Sequence, residues 1–275
     1  MTDQDEYQEQ GYQVCENALS DQECDEFCRH LSDSIVRLAE RQEEQKRNGI
    51  EPPKGIKPSE HCTSIYWDSR EGEGDDIPPA EREERCTFKV GHGMHMDDEV
   101  FLRFARAPKV SDVVRKLIGD SVRIVQSMVL YKQPKIGTGT GFHQDGTFLQ
   151  TEPESLVGAW LALEDTDEDN ACLLVVPGSH RLPLRNLASL NEQGNLDSKE
   201  LSDETADTDQ AIPLPVKKGT AVFLHPRLYH GSLPNISDRT RRSYAVHYAN
   251  GNSRWLDTNW ISEPEGGFIG LGDPT

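Results

Sequence analysis

Apolar residues recur with helical spacing early in the chain and, from residue 121 onward, in short runs with the spacing of strands. In "ALSDQECDEFCRHLSDSIVRLAERQEEQKRNG", Leu31, Ile35 and Leu38 fall on one helical face. Ser20 precedes this run and Glu23 follows three residues later, a capping box that predicts where the helix starts; Gly49 is a stop. The stretch "EVFLRFARAPKVSDVVRKLIG" is a second helical region, interrupted near Pro108, whose ring removes a backbone donor. Between them, residues 50–86 are rich in Pro, Gly and charge and predict an irregular, mobile crossover.

The later runs are "VRIVQSMVLYKQ", "SLVGAWLALED", "CLLVVPG", "GTAVFLHPRLYHG" and "RRSYAVHYAN", each bounded by turn residues. Short strands without intervening helices predict an antiparallel sandwich or barrel, not a parallel α/β sheet. Residues 183–213 form a long polar insertion, either a lid or a loose loop. The expected architecture is mainly β with flanking α-helices. One domain is expected over 1–275, with a helical region roughly at 10–118, a β core roughly at 121–250 and the insertion at 183–213. There is no internal repeat.

Charge narrows the partners. The 275 residues carry 29 basic and 48 acidic side chains, a net charge of −19, so a nucleic acid or an anionic membrane would be repelled. The acid is concentrated in 71–85 and 164–169, which read as solvated loops. The cysteines at 15, 24, 28, 62, 86 and 172 have no zinc spacing; Cys24 and Cys28, one helical turn apart, read as reduced packing residues. No signal peptide, membrane-length apolar run or C-terminal peroxisomal signal is visible, so a cytoplasmic protein is expected.

Chemistry concentrates in "GFHQDGTFL", residues 141–149, directly after the glycine-rich "KIGTGTG". On a strand, His143 and Asp145 project from one face and supply two adjacent ligands for a divalent metal. A third must come from elsewhere, and "FLHPRLYHGSLPN" offers His225 and His230. Pro226 follows His225, whereas His230 lies where a strand meets a turn, at a cavity mouth. Two histidines and a carboxylate are the facial triad of non-heme iron(II), which leaves positions for cosubstrate and oxygen. Arg241 and Arg242 follow; if 2-oxoglutarate chelates through its keto-acid end, its far carboxylate needs such a bidentate partner.

These segments, with "QSMVLYKQP", "HQDGTFLQTEP", "GAWLALEDTDEDNACLLVVPGSH", "HGSLPNISDRTRRSYAVHY" and "KVGHGMH", span most of 85–250 and resemble the phytanoyl-CoA dioxygenase family of iron(II)/2-oxoglutarate oxygenases. The resemblance implies a double-stranded β-helix, a cupin-like jelly roll, with Fe(II) held by His143, Asp145 and His230. Arg241 matches the family's 2-oxoglutarate arginine, in preference to Arg242, and Ser232 matches the hydroxyl that shares the same carboxylate. Lys89, Met128 and Trp160 match further cosubstrate contacts. The implied activity is hydroxylation of a small-molecule or acyl/lipid-type substrate by O2, releasing succinate and CO2, with ascorbate as an optional reductant. Related halogenases lack the carboxylate that Asp145 supplies, so its presence implies hydroxylation. Segments 50–85 and 183–213 match poorly, so substrate identity does not transfer, and oligomeric state is not readable.

The other histidines read as structural. His180 in "VPGSH" is a turn anchor; His92 and His95 could be an alternative metal pair but are favoured as pocket wall or packing; and His247 shares strand parity with Arg241 but is expected to pack. Trp67, Trp255 and Trp260 are core or rim aromatics. Two rival readings use the same triad: a metal-binding jelly-roll sensor or scaffold without turnover, and a zinc hydrolase in which Arg241 has no role.

Overall fold

In the computed structural model, residues 3–49, 63–67, 77–78, 80–81, 83, 87–135, 138–191 and 196–272 are described. The chain opens with α1 (Asp3–Gln10), β1 (Tyr12–Cys15) and α2 (Asp21–Arg47). The expected capping box is present, with Ser20 accepting from the Glu23 backbone and Glu23 reaching back to the Ser20 N–H. Then come β2 (Ser64–Trp67), β3 (Thr87–His92), α3 (Met94–Asp97), α4 (Glu99–Ala105) and α5 (Pro108–Ile118). The expected break falls between α4 and α5, with Pro108 in the first turn of the second helix, where its missing N–H costs nothing.

The β region follows as β4 (Val122–Lys132), β5 (Thr140–His143), β6 (Thr151–Glu152), β7 (Val157–Ala162) and β8 (Leu173–Val175). It continues through β9 (Asn186–Leu190), β10 (Leu196–Glu200), β11 (Ile212–Leu214), β12 (Ala221–Leu224), β13 (His230–Ser232), β14 (Arg241–Asn250) and β15 (Arg254–Trp255). The large sheet runs β1-β12-β7-β14-β4-β3-β2 and the small one β11-β8-β13-β5, antiparallel throughout. This is the expected jelly roll.

Two readings are corrected. The N-terminal region is not purely helical, because β1, β2 and β3 extend both edges of the large sheet. Their runs are too short to show alternation and were masked by the surrounding polar sequence. Within the expected crossover, 50–86, lies β2, which pairs with β3 just beyond it; most of that stretch lies outside the described residues, as do Cys62 and Cys86. The polar insertion carries its own hairpin, β9–β10, and its last residues form β11, an edge of the small sheet.

Strand parity sorts β14 cleanly. Tyr244, Val246 and Tyr248 face the helices, joining Phe27, Leu31 and Ile35 of α2 in the main core. The two tyrosine hydroxyls donate to the Phe101 and Ala105 carbonyls of α4. Arg241, Ser243, Ala245 and His247 alternate with them and point between the sheets. The helices thus seal one face of the large sheet, and the other encloses a cavity of about 350 Å3.

Candidate metal centre

The small sheet brings the three predicted ligands together. His143 is the last residue of β5 and pairs in register with His230, the first of β13; their ring centroids lie 4.3 Å apart. Asp145 is not on a strand, as expected from the sequence, but opens a single 3-10 turn, Asp145–Thr147. Gln144 between them is still extended, so the alternation survives and both side chains reach one point. The Gln144 side chain turns the other way, donating to the Pro183 and Arg227 carbonyls and accepting from the Arg185 N–H, which pins the loop.

The tautomers follow from the hydrogen bonds. Nδ1 of His143 lies 2.9 Å from the Gly141 carbonyl, and Nδ1 of His230 lies 3.1 Å from that of Leu228. A carbonyl only accepts, so each ring donates from Nδ1 and turns the Nε2 lone pair inward. Both Nε2 atoms are 3.6 Å from Oδ1 of Asp145, and the three donor atoms lie within 4.8 Å of one another. Burial alone would raise the Asp145 carboxyl, but the surrounding imidazoles of His230, His247 and His143 hold it well below its ordinary range. Burial pushes His230 down to about 4. Burial would lower His143 too, but its contacts with Asp145 win and raise it. An ionised carboxylate and imidazole lone pairs aimed at one point are a donor set for a divalent metal.

Arg241 lies beyond the triad, 2% exposed. Its Nε donates to the Ala171 carbonyl at 3.1 Å and Nη1 to Ser243 Oγ at 2.8 Å, and its guanidinium lies 5.6 Å from the Trp160 ring. Among the described residues no carboxylate pairs with it, and burial pushes its pKa down to about 10. A buried cation that faces a cavity and pairs with no carboxylate among the described residues is built for an anionic ligand. Arg242, on the opposite face of β14, is committed to Glu164 at 2.7 Å.

Lys89, Met128, Trp160 and Ser232, the other predicted contacts, all line the same cavity. Burial pushes the Lys89 ammonium down to about 8, and it lies 4.5 Å above the Tyr66 ring. His95 is packing, bonded to Ser127 and to the Ile124 carbonyl, whereas His92 and Trp260 line the cavity with ring centroids 4.6 Å apart. His180 contacts the Gln8 carbonyl through Nε2, as a turn anchor should, and His225 lies tilted against it with ring centroids 5.0 Å apart, outside the triad. Trp255 is buried and donates to the Ile261 carbonyl; the Trp67 side chain lies outside the described residues. His247, expected to pack, instead reaches Oδ2 of Asp145 at 3.2 Å. Its parity with Arg241 was the available signal.

The model of the family described as phytanoyl-CoA dioxygenase matches residues 7–243. The chain belongs to the phytanoyl-CoA dioxygenase family. It is 32% identical over 282 residues to "Phytanoyl-CoA dioxygenase domain-containing protein 1" of Danio rerio, covering 96% of each chain. Among solved structures it is similar to the epimerase SnoN in complex with Fe3+, alpha ketoglutarate and nogalamycin RO, with a TM-score of 0.63, 18% identity, and 98% of this chain and 91% of that one covered. It is also similar to the alpha-ketoglutarate-dependent carbocyclase SnoK, with a TM-score of 0.62, 20% identity, and 94% and 87% covered. At such identity these likenesses speak for the jelly roll alone. As a phytanoyl-CoA dioxygenase family member the chain is a 2-oxoglutarate-dependent non-heme iron oxygenase, and its inward-facing donors fit that ion.

Proposed function

We propose that the chain is an Fe(II)- and 2-oxoglutarate-dependent dioxygenase that hydroxylates a small-molecule or acyl/lipid-type substrate. One observation carries the reading: a His-Asp-His donor set shares its cavity with Arg241, a buried guanidinium that no carboxylate among the described residues pairs with. His143, Asp145 and His230 would hold the iron. Bound there, it supplies oxygen activation coupled to oxidative decarboxylation of 2-oxoglutarate to succinate and CO2.

The chain's residues bind and orient. Arg241 takes the far carboxylate of 2-oxoglutarate bidentately, and the Ser232 hydroxyl shares it. Ser243 and the Ala171 carbonyl keep the guanidinium from swinging away. Trp160 and Met128 flank the cosubstrate and exclude water, which strengthens the ion pair. Lys89 contributes a second cation at the cavity wall. Asp145 favours hydroxylation, because the carboxylate occupies the position a halide would need. The cavity walls include Phe88, Phe148, Leu149 and Trp260, which suits a substrate with an apolar body.

Purified protein incubated with Fe(II), 2-oxoglutarate, ascorbate and O2 tests this. Slow succinate release, increased by a fitting substrate, is expected. No succinate at stoichiometric enzyme would overturn the reading in favour of a metal-binding sensor or scaffold. A zinc hydrolase would show no 2-oxoglutarate binding to lose on Arg241 substitution.

A further inference from the structure

The ligand set leaves one oxygen of Asp145 to be explained. Oδ1 faces the Nε2 atoms of His143 and His230, while Oδ2 lies 3.2 Å from Nε2 of His247. His247 is 6% exposed and sits on β14 between Gln126 of β4 and Gly158 of β7. The β14–β4 register shifts immediately after it, a bulge of the kind that re-aims a side chain. Gly158 completes the cradle. A Cβ at that position would stand 3.0 Å from Asp145 Oδ2 and 3.4 Å from the His247 ring, so a side chain there would press on both members of the contact. At that separation a ring N–H of His247 is within hydrogen-bonding reach of Oδ2, and a carboxylate oxygen can only accept.

We propose that His247, with Gly158 beneath the contact, is a positioning residue that holds Asp145 to ligation through one oxygen. The proposal rests on the metal-centre reading above. Two imidazoles and one carboxylate oxygen would hold the ion through three donors and leave its remaining positions for a chelating keto acid and oxygen. A carboxylate bound through both oxygens would take one of those positions. The His247 N–H engages the oxygen that would do so, and also fixes the plane of the carboxylate. Neither effect requires His247 to touch metal, cosubstrate or substrate.

The test uses the full chain stripped of metal by a chelator and titrated calorimetrically with Co(II), without 2-oxoglutarate; the visible Co(II) spectrum reports coordination. His247→Ala is expected to bind Co(II) about 10- to 100-fold more weakly, with a changed spectrum and a near-native circular dichroism melt. His247→Gln, whose amide N–H can donate to the same oxygen, is expected to recover most of the affinity and the wild-type spectrum. Gly158→Ala, which leaves the imidazole in place, is expected to weaken binding too. Wild-type affinity and spectrum in His247→Ala, or a Gln variant no better than Ala, would overturn the proposal. Wild-type protein that takes up no Co(II) would refute the metal centre itself, a distinguishable result.

Discussion

Replacing Arg241 by Met should move stability and cosubstrate affinity in opposite directions. In the cofactor-free chain the guanidinium is 2% exposed, and burial has pushed its pKa from 12.5 down to about 10. That depression corresponds to a cost of ~3 kcal/mol to the charged form. Against it stand the hydrogen bonds to Ala171 and Ser243, each worth about 1 kcal/mol net. Met fills much of the same volume without a charge, so the variant should be no less stable than wild type and up to ~1 kcal/mol more stable. Binding of 2-oxoglutarate then loses the partner of a buried ion pair, about 2–5 kcal/mol, or a Kd roughly 30- to 4,000-fold weaker. Calorimetry on the Mn(II)-loaded protein measures the affinity. Melting with 2-oxoglutarate at a hundred times the wild-type Kd should stabilise wild type by about 2.7 kcal/mol and the variant hardly at all. A variant that binds 2-oxoglutarate within a factor of three of wild type would refute the anchoring role. A variant clearly less stable than wild type in the absence of 2-oxoglutarate would refute the burial-cost argument.

Arg242→Leu should behave oppositely, losing about 1.5–3 kcal/mol of stability with its pairing to Glu164 while the 2-oxoglutarate Kd stays unchanged in the same titration. Asp145→Ala should lose metal by more than the ~100-fold that loss of a supporting hydrogen bond costs, read as the disappearance of Mn(II)-induced thermal stabilisation. His95, pushed down to about 4 by burial, stays neutral in the fold while the unfolded chain takes up its proton near 6.5. The unfolded state therefore binds more protons between those values, and stability should fall as pH drops through that window, by up to ~3 kcal/mol. Urea midpoints should show this acid limb, and His95→Gln should make it shallower while leaving the part that His230, pushed down to about 4, contributes in the same window. Phe27→Ala, at a fully buried position touching Phe101, Phe104 and Tyr244, should cost about 3–5 kcal/mol and lower the urea midpoint without changing Co(II) affinity.

Long, strongly periodic elements were legible in advance. The α2 capping box, the α4–α5 break and the long strands β4 and β14 fall where local spacing puts them, while the short β7 and β12 announce themselves as continuous apolar runs bounded by turn residues. β1 and β2 are four residues each and β3 is six, and they are strands only because a sheet edge waits for them. The hairpin β9–β10 was hidden in the same way, its members pairing with each other inside polar sequence.

The chemistry divides along the same line. Residue types and order alone determined that a His-x-Asp pair, a later histidine and an arginine were available, since ligand chemistry is a property of side chains. Residue type and order left Arg241 and Arg242 equivalent, and only the family resemblance preferred Arg241; the physical reason, opposite faces of β14 with Arg242 paired to Glu164, exists only in the fold. Nor could sequence assign His247 to Asp145, or show why residue 158 is a glycine. Those facts arise where β7, β14 and the turn after β5 converge from positions 145, 158 and 247. Local sequence carries period and donor type; distance and orientation between donors exist only once the sheets have closed around them.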